Sequence, residues 1–292
     1  MSEVYFKKPD FKSISLDGRT AVDMHFHTRY SVDSIASLRL LYKKAKKLGI
    51  GVAISDHNGI EGAREMWNHR KEIFVIPAIE ISDVTGIHTL VYFYDFYELE
   101  EYFNRMIKPT LFKMPFYISK GFKYVLESTE DYNCYATIAH PFAPGSTNIN
   151  NIKWTRKMID SLSMVEAINS YNLRSRNIAA VEFAKKIDKG ITAGSDGHSI
   201  GEFGSAVTIA EGDNQEDFLK SVFKKKAVLI GRESNFLQKA VQSVGKETTA
   251  LRNNIRTHNQ MNRMRSMFYL NKENIRCKIG NGKKKISKIL WK

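Results

Sequence analysis

Short apolar runs that favour β-strands alternate along most of the chain with segments whose apolar residues recur at helical spacing. The strand-like runs lie at 21–28, 51–57, 74–82, 87–94, 135–141, 164–172 and 191–198. Helices are predicted between them at Leu38–Leu48, Gly62–Arg70, Glu98–Met106, Lys153–Leu162 and Ser175–Lys189. This alternation is typical of an α/β fold built from βα units around a largely parallel sheet.

Beyond these units the pattern predicts a strand at 206–210, a helix at 215–224 and a strand at 227–230. Residues 98–133 are longer than one crossover requires, so we expect a helical insertion there. From residue 232 the composition shifts toward Lys, Arg, Asn and Gln, with one apolar stripe at helical spacing. We therefore predict a domain at 1–231 followed by a basic, helical C-terminal extension at 232–292.

Most of the formal net charge of +14 belongs to this extension. Residues 231–292 contain 15 Lys and Arg against 3 Asp and Glu, which leaves residues 1–230 close to neutral. A basic segment attracts polyanions, so any contact with nucleic acid is expected through the extension and not through the body.

The remaining composition indicates a globular protein of the cytoplasm. Apolar runs fall short of the roughly 18 residues of a membrane span, and the segment MSEVYFKKPDFKS lacks the apolar core of a signal peptide. Cys134 and Cys277 are too few and too far apart for a disulfide framework. We interpret Cys134 as a small core residue.

Six of the eight histidines lie at the C-terminal ends of predicted strands, which face the active site in barrels of βα units. His25 and His27 are two residues apart on one strand, so both imidazoles point to the same side of the sheet. Asp196 and His198 repeat this spacing on a later strand. The other three histidines of this set are His57, His88 and His140.

Carboxylates accompany these histidines. Glu80 ends an otherwise apolar strand, where a buried charge is costly without a partner. The other carboxylates near strand ends are Asp33, Asp56 and Asp196. One histidine on a strand is more often a hydrogen-bonded structural residue, but six with four carboxylates predict a site for zinc, manganese or iron. His69 and His258 lie in polar segments and are interpreted as surface groups.

Five motifs occur in order: DMHFHTRYSVDS, ISDHNGIEG, IPAIEIS followed by GIHTLVYF, IAHPF, and AGSDGHSIGEFGSAVT. On these motifs the chain resembles the PHP (polymerase and histidinol phosphatase) superfamily across about residues 20–232. The resemblance implies a distorted barrel of seven βα units with two or three divalent ions, which would be manganese, iron or zinc.

The resemblance also implies a set of metal ligands, carried over motif by motif. The first ion would be held by His25, His27, Glu80 and Asp196. Glu80 would bridge to a second ion, which His88 and His140 complete. A third ion would bind His57, His198 and Asp33, although the SVD segment around Asp33 departs by one residue from the family's S-D-G. Asp56 would orient a ligand histidine or a water molecule.

A protein of this kind hydrolyses a phosphate ester with a metal-activated water. The substrate implied is a small phosphomonoester or a nucleotide-like molecule. The candidates for proton transfer to the leaving alkoxide are Asp56, His140 and His198. The candidate substrate contacts are Asn172, Arg174 and Arg176 in the segment NSYNLRSRN, and Arg29 after the paired histidines. The plain alternative for Arg174 and Arg176 is a place on a helix surface.

Two other functions stay open. A nuclease would use the basic extension to hold DNA or RNA, since Lys and Arg bind phosphates and the aromatic residues Phe268, Tyr269 and Trp291 can stack on bases. A metal-stabilised scaffold would bind a partner without catalysis, but such a protein has no need of a complete ligand set. The sequence does not indicate an oligomeric state.

Overall fold

The structure, a computed structural model, describes residues 2–12, 18–112 and 116–233 of the 292-residue chain. The extension predicted at 232–292 lies outside these residues except for its first two. The strands are β1 (Glu3–Phe6), β2 (Thr20–Phe26), β3 (Gly51–Ile54), β4 (Val75–Ser82), β5 (His88–Phe93), β6 (Cys134–Ile138), β7 (Met164–Asn169), β8 (Gly190–Gly194), β9 (Ala206–Ala210) and β10 (Val228–Gly231). The α-helices are α1 (Leu38–Leu48), α2 (Glu61–Trp67), α3 (Phe96–Tyr102), α4 (Phe122–Ser128), α5 (Arg156–Ser161), α6 (Arg174–Lys186) and α7 (Gln215–Phe223).

All these strands belong to one curled sheet, in the order β1-β10-β9-β2-β3-β4-β5-β6-β7-β8. The chain just beyond β8 returns to β2, because the Asp196 N–H donates to the His25 carbonyl at 2.8 Å and the His27 N–H donates to the Gly197 carbonyl at 3.0 Å. Strands β2 to β8 correspond to the seven predicted runs. The predicted α/β class is confirmed, and the curled sheet is consistent with a distorted barrel.

The sheet is less parallel than predicted. Strand β5 runs antiparallel to both β4 and β6, and β9 runs antiparallel to both β2 and β10. His88 is the first residue of β5 and does not lie at the C-terminal end of a strand, which corrects the sequence prediction. The reversal still places His88 beside Ser82, the last residue of β4. The side chain therefore reaches the same edge of the sheet by a different route.

Local sequence explains several of these elements. Helix α1 buries Leu38, Leu41 and Ala45 on one side and ends at Gly49, whose positive φ of 66° suits a left-handed cap. Strand β4 is buried along its whole length, as an interior strand covered on both faces should be. The predicted insertion contains α3, a π-helical turn at Phe103–Ile107 and α4. Within the described ranges, no helix is long and apolar enough to cross a membrane.

Candidate metal centre

The end of β2 supplies the first pair of ligand candidates. A register shift between Asp23 and Phe26 interrupts the pairing of β2 with β3. The buried His25 and His27 side chains bring their Nε2 atoms to 3.0 Å of each other. Both Nε2 atoms face Asp196 Oδ1, at 3.6 Å from His25 and 3.3 Å from His27. The predicted same-side placement of the two imidazoles is therefore seen in the structure.

Glu80 lies at the centre of the histidines. Its carboxylate contacts nitrogen atoms of five of them at 3.1–3.3 Å, and these are His25, His27, His57, His88 and His140. The side chain is fully buried, and within the described part of the chain its Oε2 atom accepts no hydrogen bond of acceptable geometry. A buried carboxylate oxygen in this condition is costly, so a cation shared with the surrounding imidazoles is its natural partner.

A third set of donors lies nearer to solvent. Asp33 Oδ2 is 2.8 Å from His198 Nε2 and 3.5 Å from His57 Nε2. The His27 ring stacks on the His198 ring with centroids 4.4 Å apart, which joins this set to the pair on β2. The Asp33 side chain, 22% exposed, is the most open of these carboxylates. The predicted assignment of Asp33 therefore fits the geometry.

Three groups of these side chains are able to hold a metal ion, with their donor atoms within 4.8 Å of one another. They are His25, His27 and Asp196; His57, Glu80 and His88; and His27, Asp33, His57 and His198. The donors are imidazole nitrogens and carboxylate oxygens, which suit zinc, manganese and iron. Cys134 takes no part, because its thiol donates to the Thr129 carbonyl and packs against the core.

Burial and the neighbouring charges shift the pKa values of several of these donors. Burial by itself lowers the pKa of His27, but Asp196 and Glu80 beside it raise that pKa to about 10. Burial raises the pKa of Glu80, yet the coulombic effect of His57 and His25 outweighs it and holds the pKa well below its usual value. Burial lowers the pKa of His88 to about 4, which keeps that ring neutral. The neighbouring carboxylates favour protonated imidazole rings, and a divalent ion would replace the protons on those rings.

The backbone is strained where the site is built. Asn58, His140 and Asp196 have positive φ angles of 49°, 29° and 51°, in the region that side-chain-bearing residues seldom adopt. They lie in the segments that follow β3, β6 and β8, and His140 and Asp196 are themselves ligand candidates. Strain of this kind concentrates at functional sites and is maintained by the surrounding structure.

A cavity of about 460 Å³ opens over these donors. Its lining includes seven of the nine ligand candidates, namely Asp33, His57, Glu80, His88, His140, Asp196 and His198. The rest of the lining consists of Ala143, Pro144, Thr147, Tyr171, Asn172, Leu173 and Arg176. Of the predicted substrate contacts, Asn172 and Arg176 therefore line the same cavity as the donors.

Arg174 and Arg29 lie outside this lining. The Arg174 guanidinium lies 3.1 Å from Glu233, donates to the Phe6 carbonyl and covers the Phe6 ring. Arg29 stacks on Tyr30 and lies 3.9 Å from a Glu65 oxygen. The two arginines of the NSYNLRSRN segment thus point in different directions.

Asp56 is buried and contacts Thr28, the residue that follows His27. Its two oxygens accept from the Thr28 N–H at 2.6 Å and from the Thr28 hydroxyl at 2.7 Å. Burial raises the pKa of Asp56 to about 6. A Cβ atom on Gly62 would lie 2.1 Å from Asp56 Oδ2, so only glycine leaves room for this contact. Asp56 therefore contacts the residue that follows the ligand candidate His27 and does not line the cavity.

Sequence reasoning missed three buried polar residues that surround the donors. Asp23 accepts backbone N–H groups of Ser195 and Gly204, which ties β2 to the loop after β8. Glu166 and Asn169, both on β7, contact ligand candidates directly. For Asp23 and Glu166 the available signal was the one used for Glu80, a charged residue within an apolar strand. The uncharged Asn169 gives no such signal.

Comparisons with known proteins give a family match and several solved structures of similar fold. The PHP domain family matches residues 23–237 of the chain. No curated protein sequence is significantly similar to the chain. Among solved structures, a protein from Bifidobacterium adolescentis assigned as a metal-dependent phosphoesterase superposes with a TM-score of 0.50 at 18% identity, covering 74% of this chain and 98% of that one.

Two further structures share the fold. A two-domain protein from Bacteroides vulgatus, containing a predicted PHP-like metal-dependent phosphoesterase, gives a TM-score of 0.56 at 14% identity and covers 84% of this chain and 74% of that one. A lesion-specific endonuclease from Pyrococcus furiosus gives 0.58 at 14% identity and covers 72% of this chain and 57% of that one.

Fold and donor set together define a metal-dependent hydrolase. The family match extends over most of the chain and includes every donor described above. The chain belongs to the PHP domain family.

Proposed function

We propose that the protein hydrolyses a small phosphomonoester or nucleotide-like substrate at a centre of two or three divalent ions of manganese, iron or zinc. The observation that carries this proposal is Glu80, a buried carboxylate in contact with five histidine side chains and with one oxygen that accepts no hydrogen bond from the described residues. Two or three divalent ions would outweigh the three carboxylates of Asp33, Glu80 and Asp196. The cavity would then be cationic and would suit a phosphate dianion.

The ligand sets are those that the family resemblance implies, and the contacts of Glu80 and Asp33 support them. His25, His27 and Asp196 would hold one ion together with Glu80, and His88 and His140 would share Glu80 with a second. Asp33, His57 and His198 would hold a third. Divalent ions at such a site lower the pKa of water and stabilise the charge that develops on the phosphoryl oxygens.

The protein's own residues would orient the substrate and move protons. His140 and His198 line the cavity and are the candidates for proton transfer to the leaving alkoxide. Asp56 would act indirectly. Its two hydrogen bonds fix Thr28, the residue that follows His27, and so position the end of that strand. Asn172 and Arg176 would bind the part of the substrate that extends beyond the metal ligands.

Arg176→Ala is expected to raise KM by roughly tenfold with little change in kcat. A hydrogen bond to a charged group is worth about 1.5 kcal/mol or more, and an arginine that lines the cavity without being a metal ligand would bind substrate and transition state alike. Steady-state kinetics on the substrate identified below would measure the effect. Arg174→Ala is the matched control, since Arg174 binds Glu233 and Phe6 outside the cavity. Equal KM changes in the two variants would contradict the assignment of Arg176.

A second candidate function is cleavage of nucleic acid. Two observations favour it, the 15 basic residues of segment 231–292 and the fold shared with a lesion-specific endonuclease. A nuclease of this design would take the phosphodiester into the same donor set while the extension binds the neighbouring phosphates.

A chain ending after Glu233 separates the two candidates. It retains β10, which pairs with β1 and β9, and it keeps the Arg174–Glu233 ion pair. We expect it to fold and to hydrolyse small phosphoesters as the full chain does. If the extension binds nucleic acid, the full chain alone should bind oligonucleotides, with an affinity that falls steeply as salt rises. Equal oligonucleotide binding by both chains would remove that role, and loss of small-substrate hydrolysis would contradict the domain boundary.

The proposal itself is tested by phosphate release from metal-loaded, full-length protein. The substrates should include sugar phosphates, nucleotides, histidinol phosphate and short oligonucleotides. We expect turnover of at least one small phosphoester that a chelator abolishes and added metal restores. Turnover that survives complete metal removal would contradict the proposal.

A further inference from the structure

Glu166 and Asn169 on β7 contact ligand candidates from three other parts of the sheet, and neither is itself among the proposed ligands. Glu166 is 1% exposed, and its Oε1 atom lies 2.8 Å from His25 Nδ1. Its Oε2 atom accepts the His140 backbone N–H at 2.6 Å. The Asn169 amide donates to that same Oε2 atom at 3.0 Å and to Asp196 Oδ2 at 3.2 Å.

An irregularity in β7 makes this arrangement possible. Residues three apart on a regular strand point to opposite faces of a sheet. The pairing of β7 with β8 shifts register between Glu166 and Ile168, so that Ala167 is an extra residue on the β7 side. A bulge of this kind redirects the side chains that follow it. Here it turns Asn169 to the face on which Glu166 lies.

The Glu166 contact determines which nitrogen of the His25 ring can bind a metal ion. A carboxylate accepts hydrogen bonds and cannot donate them, so a neutral His25 ring would carry its hydrogen on Nδ1 and leave the Nε2 lone pair for a metal ion. That Nε2 atom lies 3.3 Å from Glu80 Oε2 and 3.0 Å from His27 Nε2, in the middle of the donors. Partners of this kind fix both the tautomer and the ring orientation of metal-binding histidines.

We propose that Glu166, oriented by Asn169, is a positioning residue that fixes His25 in the metal-binding tautomer and holds the His140 backbone in its strained conformation. The proposal rests on the metal centre proposed above. A purely structural role is the competing explanation, because a buried carboxylate with three hydrogen-bonding contacts also stabilises the fold. The two explanations differ in what happens when the charge is removed and the shape is kept.

Glu166→Gln makes that change. The glutamine oxygen should stay with the two N–H donors, from His140 and Asn169, which leaves its NH₂ group facing His25 Nδ1. An NH₂ group needs an acceptor, so the proton of His25 would move to Nε2 and block the nitrogen that faces the donors. We expect the affinity for metal to fall by about 10–100-fold. Glu166→Asp keeps the charge but is one methylene too short to reach both partners, and should lose affinity as well.

The experiment measures Zn²⁺ and Mn²⁺ binding to the full-length chain by competition with a coloured chelator, alongside thermal unfolding and phosphate release. Asp83→Asn is the matched control, since Asp83 is equally buried but accepts hydrogen bonds from Thr85 and Ile87 in the β4–β5 turn. We expect wild-type metal affinity in this control. In Glu166→Gln we expect weak binding together with a kcat that saturating metal largely restores.

Wild-type affinity in a folded Glu166→Gln protein would overturn the proposal, as would an equal loss of affinity in Asp83→Asn. Loss of activity with metal affinity intact would also overturn it. If Glu166→Gln does not fold, Glu166→Asp decides by the same criterion of affinity. Absence of metal binding by the wild-type protein would instead refute the proposed metal centre, and the role of Glu166 with it.

Discussion

Glu80→Gln is expected to lower kcat/KM for phosphoester hydrolysis by about two to three orders of magnitude or more, the range seen when one charge-stabilising group is lost from an active site. The substitution keeps the size of the side chain and removes the one carboxylate that contacts five histidines. Without that charge, ions on either side of position 80 would lose a shared ligand. Initial rates and metal content measured on the same preparation would test both effects.

The control for this variant is Glu182→Gln, the same change on an exposed position of α6. It should leave rates and metal content at wild-type values. Full turnover by a Glu80→Gln protein that contains less metal than the wild type would contradict a catalytic centre built on Glu80.

Gly194→Ala is expected to disable the site although it removes no functional group. A Cβ atom at position 194 would lie 2.3 Å from the Cβ atom of His25 and 2.6 Å from its backbone nitrogen. Neither atom can move without shifting β2, so β8 and the Asp196 loop should separate from His25. Overpacking of this kind costs about 1–3 kcal/mol of folding stability, and we expect loss of bound metal in addition.

Gly201→Ala offers a comparison in the loop that follows His198. The nearest heavy atom to an added Cβ there is Ser199 Oγ at 3.8 Å, an ordinary contact. Thermal unfolding and metal content should remain those of the wild type for Gly201→Ala and should both fall for Gly194→Ala. Unchanged metal content in the Gly194→Ala protein would show that close packing of β8 on His25 is not required.

Much of the fold could be predicted because its signals are local. The seven strands from β2 to β8 were predicted as apolar runs, and α1 matches its predicted bounds. Strand β1 and helix α4 were not predicted individually. The direction of β5 could not be predicted either, because a short apolar strand has the same pattern whether it runs parallel or antiparallel to its neighbours.

The candidate site could also be predicted only in part from the sequence. Residue type and strand position select ten candidates, six histidines and four carboxylates, and the family resemblance implies that nine of them are ligands. The structure brings these nine together. The directions of side chains outside that set depend on tertiary structure. Arg174 and Arg176 are equivalent by sequence, but only Arg176 lines the cavity. Asn169 joins Glu166 through a bulge that regular strand periodicity does not predict.

The central claim is that a multi-metal centre on these donors performs the hydrolysis. Its most direct test is metal analysis of the purified full-length protein, followed by stripping with a chelator and stepwise return of manganese, iron or zinc while phosphate release is recorded. We predict two to three equivalents in the active protein, no turnover after stripping, and activity that returns with the same stoichiometry. Less than one equivalent in a fully active preparation, with turnover unaffected by the chelator, would contradict the claim.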